Sequence, residues 1–80
     1  MKSIYDENYI EIITRLRIAR IEKNITQNTL SKTLGVPQSF ISKVESCDRR
    51  LDIAELIHWL NALELSIDAV MPMLIEQGGE

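Results

Sequence analysis

The chain has 80 residues, 45% of them hydrophobic and 26% charged, with a formal net charge of −3; this suits one soluble domain with a modest core and leaves no room for a separate ligand-binding domain. No apolar run approaches the roughly 18 residues of a membrane span, and the N-terminal MKSIYDENYIEI carries acids where a secretory signal needs an apolar stretch. One cysteine, Cys47, has no partner for an internal disulfide, so a reducing, cytoplasmic setting is expected.

The net charge conceals a division along the chain. Between Arg15 and Arg50 eight basic residues stand against three acids, a local balance of +5, while the remainder stands at −8. Binding of a polyanion follows the local field, not the total. Chance clustering on a solvated surface is the plain alternative, but a split of this size favours a basic face.

Internal repeats, low-complexity tracts and glycine- or serine-rich linkers are absent, and only the ends, MKS and QGGE, look frayed. No stretch alternates with period two between hairpin turns, so the pattern is helical throughout. A first helix is expected from about Asp6 to Lys23, with Tyr9, Ile12, Ile13, Leu16, Ala19 and Arg20 on one stripe. Asn24, which tolerates a left-handed turn, ends it.

Thr26 then caps a second helix, Gln27 to Leu34, whose Leu30 and Leu34 point inward. Gly35 falls where a helix C-terminus wants a positive φ. A third helix runs from about Gln38 to Val44 or Glu45, with Phe40, Ile41 and Val44 opposite Gln38, Ser39 and Ser42. After the polar loop SCDRR, Asp52 and Glu55 have the spacing of a capping box and open a fourth helix to about Leu63. Leu56, Trp59, Leu60 and Leu63 form its inner face. Ser66 is placed to cap a fifth helix through Val70 and Leu74, with Asp68 in its first turn and Pro72 kinking or shortening it.

The second and third helices are too short to stand by themselves, and the first and fourth must hold them. A scaffold that presents a short helix after a glycine turn is the logic of a helix-turn-helix. Ser31 fits this arrangement, because a small residue in the second helix lets the third cross closely.

LRIARIEKNITQNTLSKTLGVPQSFISKVES followed by LDIAELIHWLNALELSIDAV resembles the phage-repressor/Cro-like helix-turn-helix regulators, often called XRE-type. The resemblance covers about residues 15–70 and implies an all-α, five-helix lambda-repressor-like DNA-binding domain. Residues 1–80 then form one domain, 1–14 extending the first helix and 71–80 completing the fifth with a frayed tail. The resemblance also implies that the third helix reads base edges in the major groove. Gln38 would contact adenine N6/N7 or a neighbouring phosphate. Ser39 and Ser42 would make short contacts to base edges or phosphates, and Lys43 would reach guanine O6/N7 or the backbone. Gln27 matches a phosphate-binding position at a helix N-terminus. Thr26, Ser46 and Arg49 lie where family members touch the backbone, and Pro37 belongs to the same surface.

Arg20 and Glu45 match a pair that forms a buried salt bridge in related repressors, and the sequence agrees, since Arg20 interrupts an apolar stripe and needs a partner. Two positions depart from the family pattern. Pro37 replaces the usual Ser or Thr cap of the third helix, and Ser46-Cys47-Asp48 replaces the usual Asn-Gly loop. Asp48 disfavours a nearby phosphate, so Arg49 and Arg50 are candidates to take over.

The other candidates have plain readings. Gln38, Ser39, Ser42 and Lys43 outside this motif would be an ordinary solvated face, and Arg49 and Arg50 an exposed loop. His58 is a lone histidine without a second ligand at metal spacing, so no metal site is expected. Cys47, near Lys43 and Arg49, invites a lowered thiol pKa and redox sensing, against the simpler reading of a spare surface cysteine. No nucleophile elbow, phosphate loop or carboxylate pair points to catalysis, and no cofactor or small-molecule ligand is expected. Trp59 reads as core. Met71, Met73, Leu74 and Ile75, with off-stripe Ile10, Ile18 and Ile21, exceed what one small core absorbs and suggest a homodimer surface over a merely greasy end.

The expectation is a homodimeric, sequence-specific regulator of transcription on double-stranded DNA with a near-palindromic site, read as a repressor, with promoter occlusion and contact with polymerase both open as its mechanism. The alternative of another class is a protein-interaction module on the same fold, antitoxin-like, with DNA binding weak or lost.

Overall fold

The computed structural model describes residues 6–71, which form four α-helices and a closing 3-10 turn, with no strand among the described residues. Helix α1 spans Glu7–Glu22, α2 Gln27–Leu34, α3 Gln38–Glu45 and α4 Ile53–Leu63. The all-α class expected from the sequence is what the chain adopts.

Each boundary has a local cause. The Asp6 carboxylate accepts hydrogen bonds from the backbone N–H of Asn8 at 2.8 Å and of Tyr9 at 3.3 Å, which satisfies amides the first turn leaves free. Beyond the other end of α1, Asn24 takes φ 60° and turns the chain toward α2. The Thr26 hydroxyl accepts from the Thr29 N–H at 3.0 Å, and Gly35 closes α2 at φ 72°. Pro37 starts α3 without a side-chain cap, as the sequence requires. The Asp52 carboxylate accepts from the Glu55 N–H at 2.7 Å while the Glu55 carboxylate accepts from the Asp52 N–H at 2.9 Å, completing the capping box.

The core gathers Ile13 and Leu16 from α1, Leu30 from α2, Ile41 and Val44 from α3, and Leu56, Trp59, Leu60 and Leu63 from α4, with Val70 closing it. Burying each such side chain contributes roughly 1.5–3 kcal/mol before the entropy of ordering is set against it. Phe40 packs beside Trp59 with ring centroids 6.0 Å apart. Ser31 is buried where α2 and α3 cross and donates to the Asn28 carbonyl at 2.7 Å, so its hydroxyl is satisfied inside the helix. Two distant ties hold the frame. The Tyr9 hydroxyl accepts from the Leu51 N–H at 3.1 Å, and the Arg15 guanidinium donates to the Met71 carbonyl at 2.9 Å.

The expected fifth helix is corrected. Within the described residues its place is taken by a 3-10 turn at Ile67–Ala69. A proline disfavours the α conformation in the residue before it, so the sequence Met71-Pro72 works against a regular helix continuing through that point. Ser66 precedes the turn but makes no side-chain cap. The Ala69 N–H donates instead to the Ser66 carbonyl at 3.1 Å. The expectations placed on Met73, Leu74 and Ile75 lie outside the described residues, and Met71 is half-buried against the core.

Candidate nucleic-acid interface

Helix α3 is mounted by its inner face. Ile41 and Val44 are fully buried, which fixes the helix about its own axis and leaves the opposite side to solvent. Gln38, Ser39, Ser42 and Lys43 are all exposed on that side. Gln38 and Ser42, and likewise Ser39 and Lys43, are four residues apart and therefore stacked one above the other. Thr26, at the start of α2, and Pro37, at the start of α3, are exposed as well.

The orientation of α3 depends on one carboxylate. Arg20 Nε donates to Glu45 Oε2 at 2.6 Å and Arg20 Nη2 to Glu45 Oε1 at 2.9 Å, while Arg20 Nη1 donates to the Ile25 carbonyl at 2.7 Å. The two side chains are only 9% and 5% exposed. This ion pair joins the C-terminal half of α1 to the last turn of α3, and its third hydrogen bond captures the α1–α2 loop.

Glu45 has a second partner. Gln27 Nε2 donates to Glu45 Oε1 at 3.0 Å, so one of its two amide hydrogens is spent inside the protein and the other remains to be donated. Arg17, one turn before Arg20, brings Nε to 3.9 Å from Glu45 Oε1 with a side chain 56% exposed. Thr14, Arg17, Gln27, Ser42, Glu45 and Ser46 enclose a shallow notch of about 390 Å³ between α1 and the exposed side of α3. Reading by sequence passed over Arg17. The signal was its place three residues before Arg20, close to the same helical row.

The loop after α3 is more self-contained than the sequence suggests. The backbone N–H groups of Asp48 and Arg49 both donate to the Lys43 carbonyl, at 2.8 and 3.2 Å. The Ser46 hydroxyl lies 3.3 Å from that same carbonyl and 3.2 Å from the Asp48 carboxylate, so its proton is directed inward. Arg49 stacks 4.5 Å above the Phe40 ring and donates to both oxygens of Glu55, at 3.2 and 3.1 Å. A phosphate approaching Arg49 therefore competes with Glu55. Arg50 sits 4.5 Å over the Tyr9 ring.

Cys47 occupies the loop's left-handed position at φ 65°. Burial, seconded by the Asp48 charge, pushes its thiol pKa up, the reverse of what the nearby bases in the sequence suggest. A thiol so placed is less often a thiolate and less reactive. Among the described residues no cluster of His, Cys, Asp and Glu could hold a metal ion, and no helix is long and apolar enough to cross a membrane.

Comparison with known proteins agrees with this geometry. A family model described as helix-turn-helix matches residues 16–70. Among solved structures the chain is similar to the restriction-modification controller protein C.Esp1396I. The wild-type crystal structure aligns at 26% identity and TM-score 0.76 over 90% of this chain and 94% of that one. A point mutant of it aligns at 27% identity and TM-score 0.75, over 94% and 95%. The tetramer of that protein in complex with its natural 35 base-pair operator aligns at 25% identity and TM-score 0.75, over 94% and 99%. No curated protein sequence is a significant match.

Proposed function

The chain belongs to the helix-turn-helix family, and from that premise we propose that it is a sequence-specific double-stranded DNA-binding regulator of transcription that places α3 in the major groove. The observation that carries this reading is the side of α3 opposite Ile41 and Val44. Four exposed side chains able to hydrogen-bond base edges, Gln38, Ser39, Ser42 and Lys43, project from a helix whose rotation is fixed by its buried side and by the Arg20–Glu45 pair. An amide suits adenine N6/N7 and a lysine suits guanine O6/N7. Thr26 and the second amide hydrogen of Gln27 supply phosphate contacts that set register, with Pro37, Ser46 and Arg49 at the margins. The likeness to C.Esp1396I, crystallised on its operator, supports the same conclusion.

The finer reading is a homodimeric repressor on a near-palindromic operator, with two copies of α3 entering successive major grooves about 34 Å apart. In this reading a bound dimer would repress by occluding the promoter, with contact to polymerase as the alternative mechanism. The apolar side chains Ile53 and Ile57, exposed on α4, with Ile53 72% exposed, offer surface for a second copy.

Selection from a random duplex library tests the proposal. Enrichment of a near-palindrome with half-sites one helical turn apart is the expected result. If no sequence is enriched and affinity stays in the non-specific range of roughly 10⁻⁴ to 10⁻⁶ M, the reading fails and a protein partner becomes the better explanation of the fold.

A further inference from the structure

We infer that Arg17 on α1 is an additional contact to the DNA backbone, and that the notch it forms with Thr14, Gln27 and Ser42 seats one phosphate beside the recognition helix. The inference rests on the DNA-binding reading above and adds α1 to an interface otherwise built from α2 and α3.

Charge in the notch decides the argument. Glu45 would repel a phosphate if its carboxylate were free, but Arg20 takes both of its oxygens and Gln27 takes one of them again. Arg20 and Glu45 cancel, which leaves Arg17 as the uncompensated charge. Its Nε stands 3.9 Å from Glu45, near enough to be oriented and beyond hydrogen-bond length, so its donors are not consumed there. A buried guanidinium that completes a core has no donors to spare. A half-exposed one anchored by a neutralised pair keeps a fork of donors for a bidentate oxyanion.

Position adds a second support. Ser42 and Gln27 belong both to the wall of this notch and to the surface proposed to meet DNA, so a duplex docked on α3 carries its backbone past Arg17. Gln27 lines the same notch, and its Nε2, held in place by the bond to Glu45, keeps a second hydrogen to donate. Guanidinium, amide and hydroxyl donors around one shallow recess form a phosphate seat. A base edge is not the expected occupant, because the notch lies beside the recognition face and not on it.

The test is a salt titration of Arg17→Gln on the operator that the wild-type protein selects and on scrambled duplex. The expected result is weaker binding to both duplexes, an unchanged selected sequence, and a slope of log K against log[salt] shallower by about 0.9 for each protomer bound. Arg17→Lys, which keeps the charge, is expected to restore most of the slope. The thermal midpoint of Arg17→Gln is read alongside, and an unchanged value excludes a folding defect, since the side chain is largely in solvent. An unchanged slope and affinity, or a shift in the selected sequence, overturns the inference while leaving the regulator reading intact. Failure of the wild-type protein to select any duplex overturns both.

Discussion

Arg20 and Glu45, 25 residues apart in the chain, meet through two hydrogen bonds with both side chains buried. Burying two charges is costly, and their mutual attraction roughly repays it, so the pair fixes geometry more than it adds stability. Removing one partner strands the other. Arg20→Ala or Glu45→Ala is expected to cost about 3–5 kcal/mol, read from urea midpoints. The double variant Arg20→Met/Glu45→Leu should recover much of that loss. A double variant as unstable as the singles would refute the view that the penalty lies in the orphaned charge.

Gly35 isolates backbone strain from packing. It closes α2 at φ 72°, and a methyl group added there would meet nothing within 4 Å. Gly35→Ala is therefore expected to destabilise by about 1–2 kcal/mol through the left-handed conformation alone. Gly35→Asn should cost less. Equal losses from the two substitutions, measured by chemical denaturation, would mean that some contact and not φ sets the penalty.

Glu55 carries a pH dependence of definite sign. The Asp52 N–H, and after it the Arg49 guanidinium, hold its carboxyl pKa below the ordinary value. Because the folded pKa lies below the unfolded one, this contribution is complete above the unfolded value of about 4.3 and fades as pH falls through the folded value. The stability difference between wild type and Glu55→Gln should be largest near neutrality and shrink toward pH 3. A difference that grows on acidification would contradict the assignment.

Cys47 should be slow toward thiol reagents. With burial and Asp48 raising its pKa, reaction with a disulfide probe at pH 8 is expected to lag behind a free cysteine. Asp48→Asn should speed it modestly, and unfolding should speed it more. Faster reaction than free cysteine would reopen a redox role.

Within the proposed DNA interface, Gln38 and Lys43 should behave differently. Gln38→Ala is expected to relax preference at one base position, with a loss of about 1–3 kcal/mol in discrimination. Lys43→Glu should abolish binding to every duplex. Selection repeated with each variant separates these outcomes, and an unchanged operator with Gln38→Ala would remove Gln38 from base reading.

How much was legible in the sequence follows from the range of each interaction. Thr26, Gly35 and the Asp52–Glu55 box act within one helical turn, so spacing alone located them. The inner faces of α3 and α4 follow from period 3.6. What spacing does not supply is the angle between elements. The bond from Gln27 to Glu45 and the stacking of Arg49 on Phe40 join residues brought together only by packing. For Cys47 the sequence offered a lowered thiol pKa from nearby bases as the alternative to a spare cysteine, and burial, which spacing does not supply, sets the pKa in the opposite direction. The expected fifth helix is only partly within the described residues, where a 3-10 turn at Ile67–Ala69 stands at its start; short-range spacing alone does not separate the two forms.

The first turns of α1 have a consequence for where this domain begins. The family model matches from residue 16, yet Ile13 is buried in the core and the Tyr9 hydroxyl holds the Leu51 amide. The segment that homology recognises is therefore smaller than the segment that folds. A fragment trimmed to residues 16–70 would carry all of α2 and α3 and still lack Ile13 from the core and the Tyr9 hydroxyl that holds the Leu51 amide ahead of α4. The informational boundary of the motif and the mechanical boundary of the domain lie two helical turns apart.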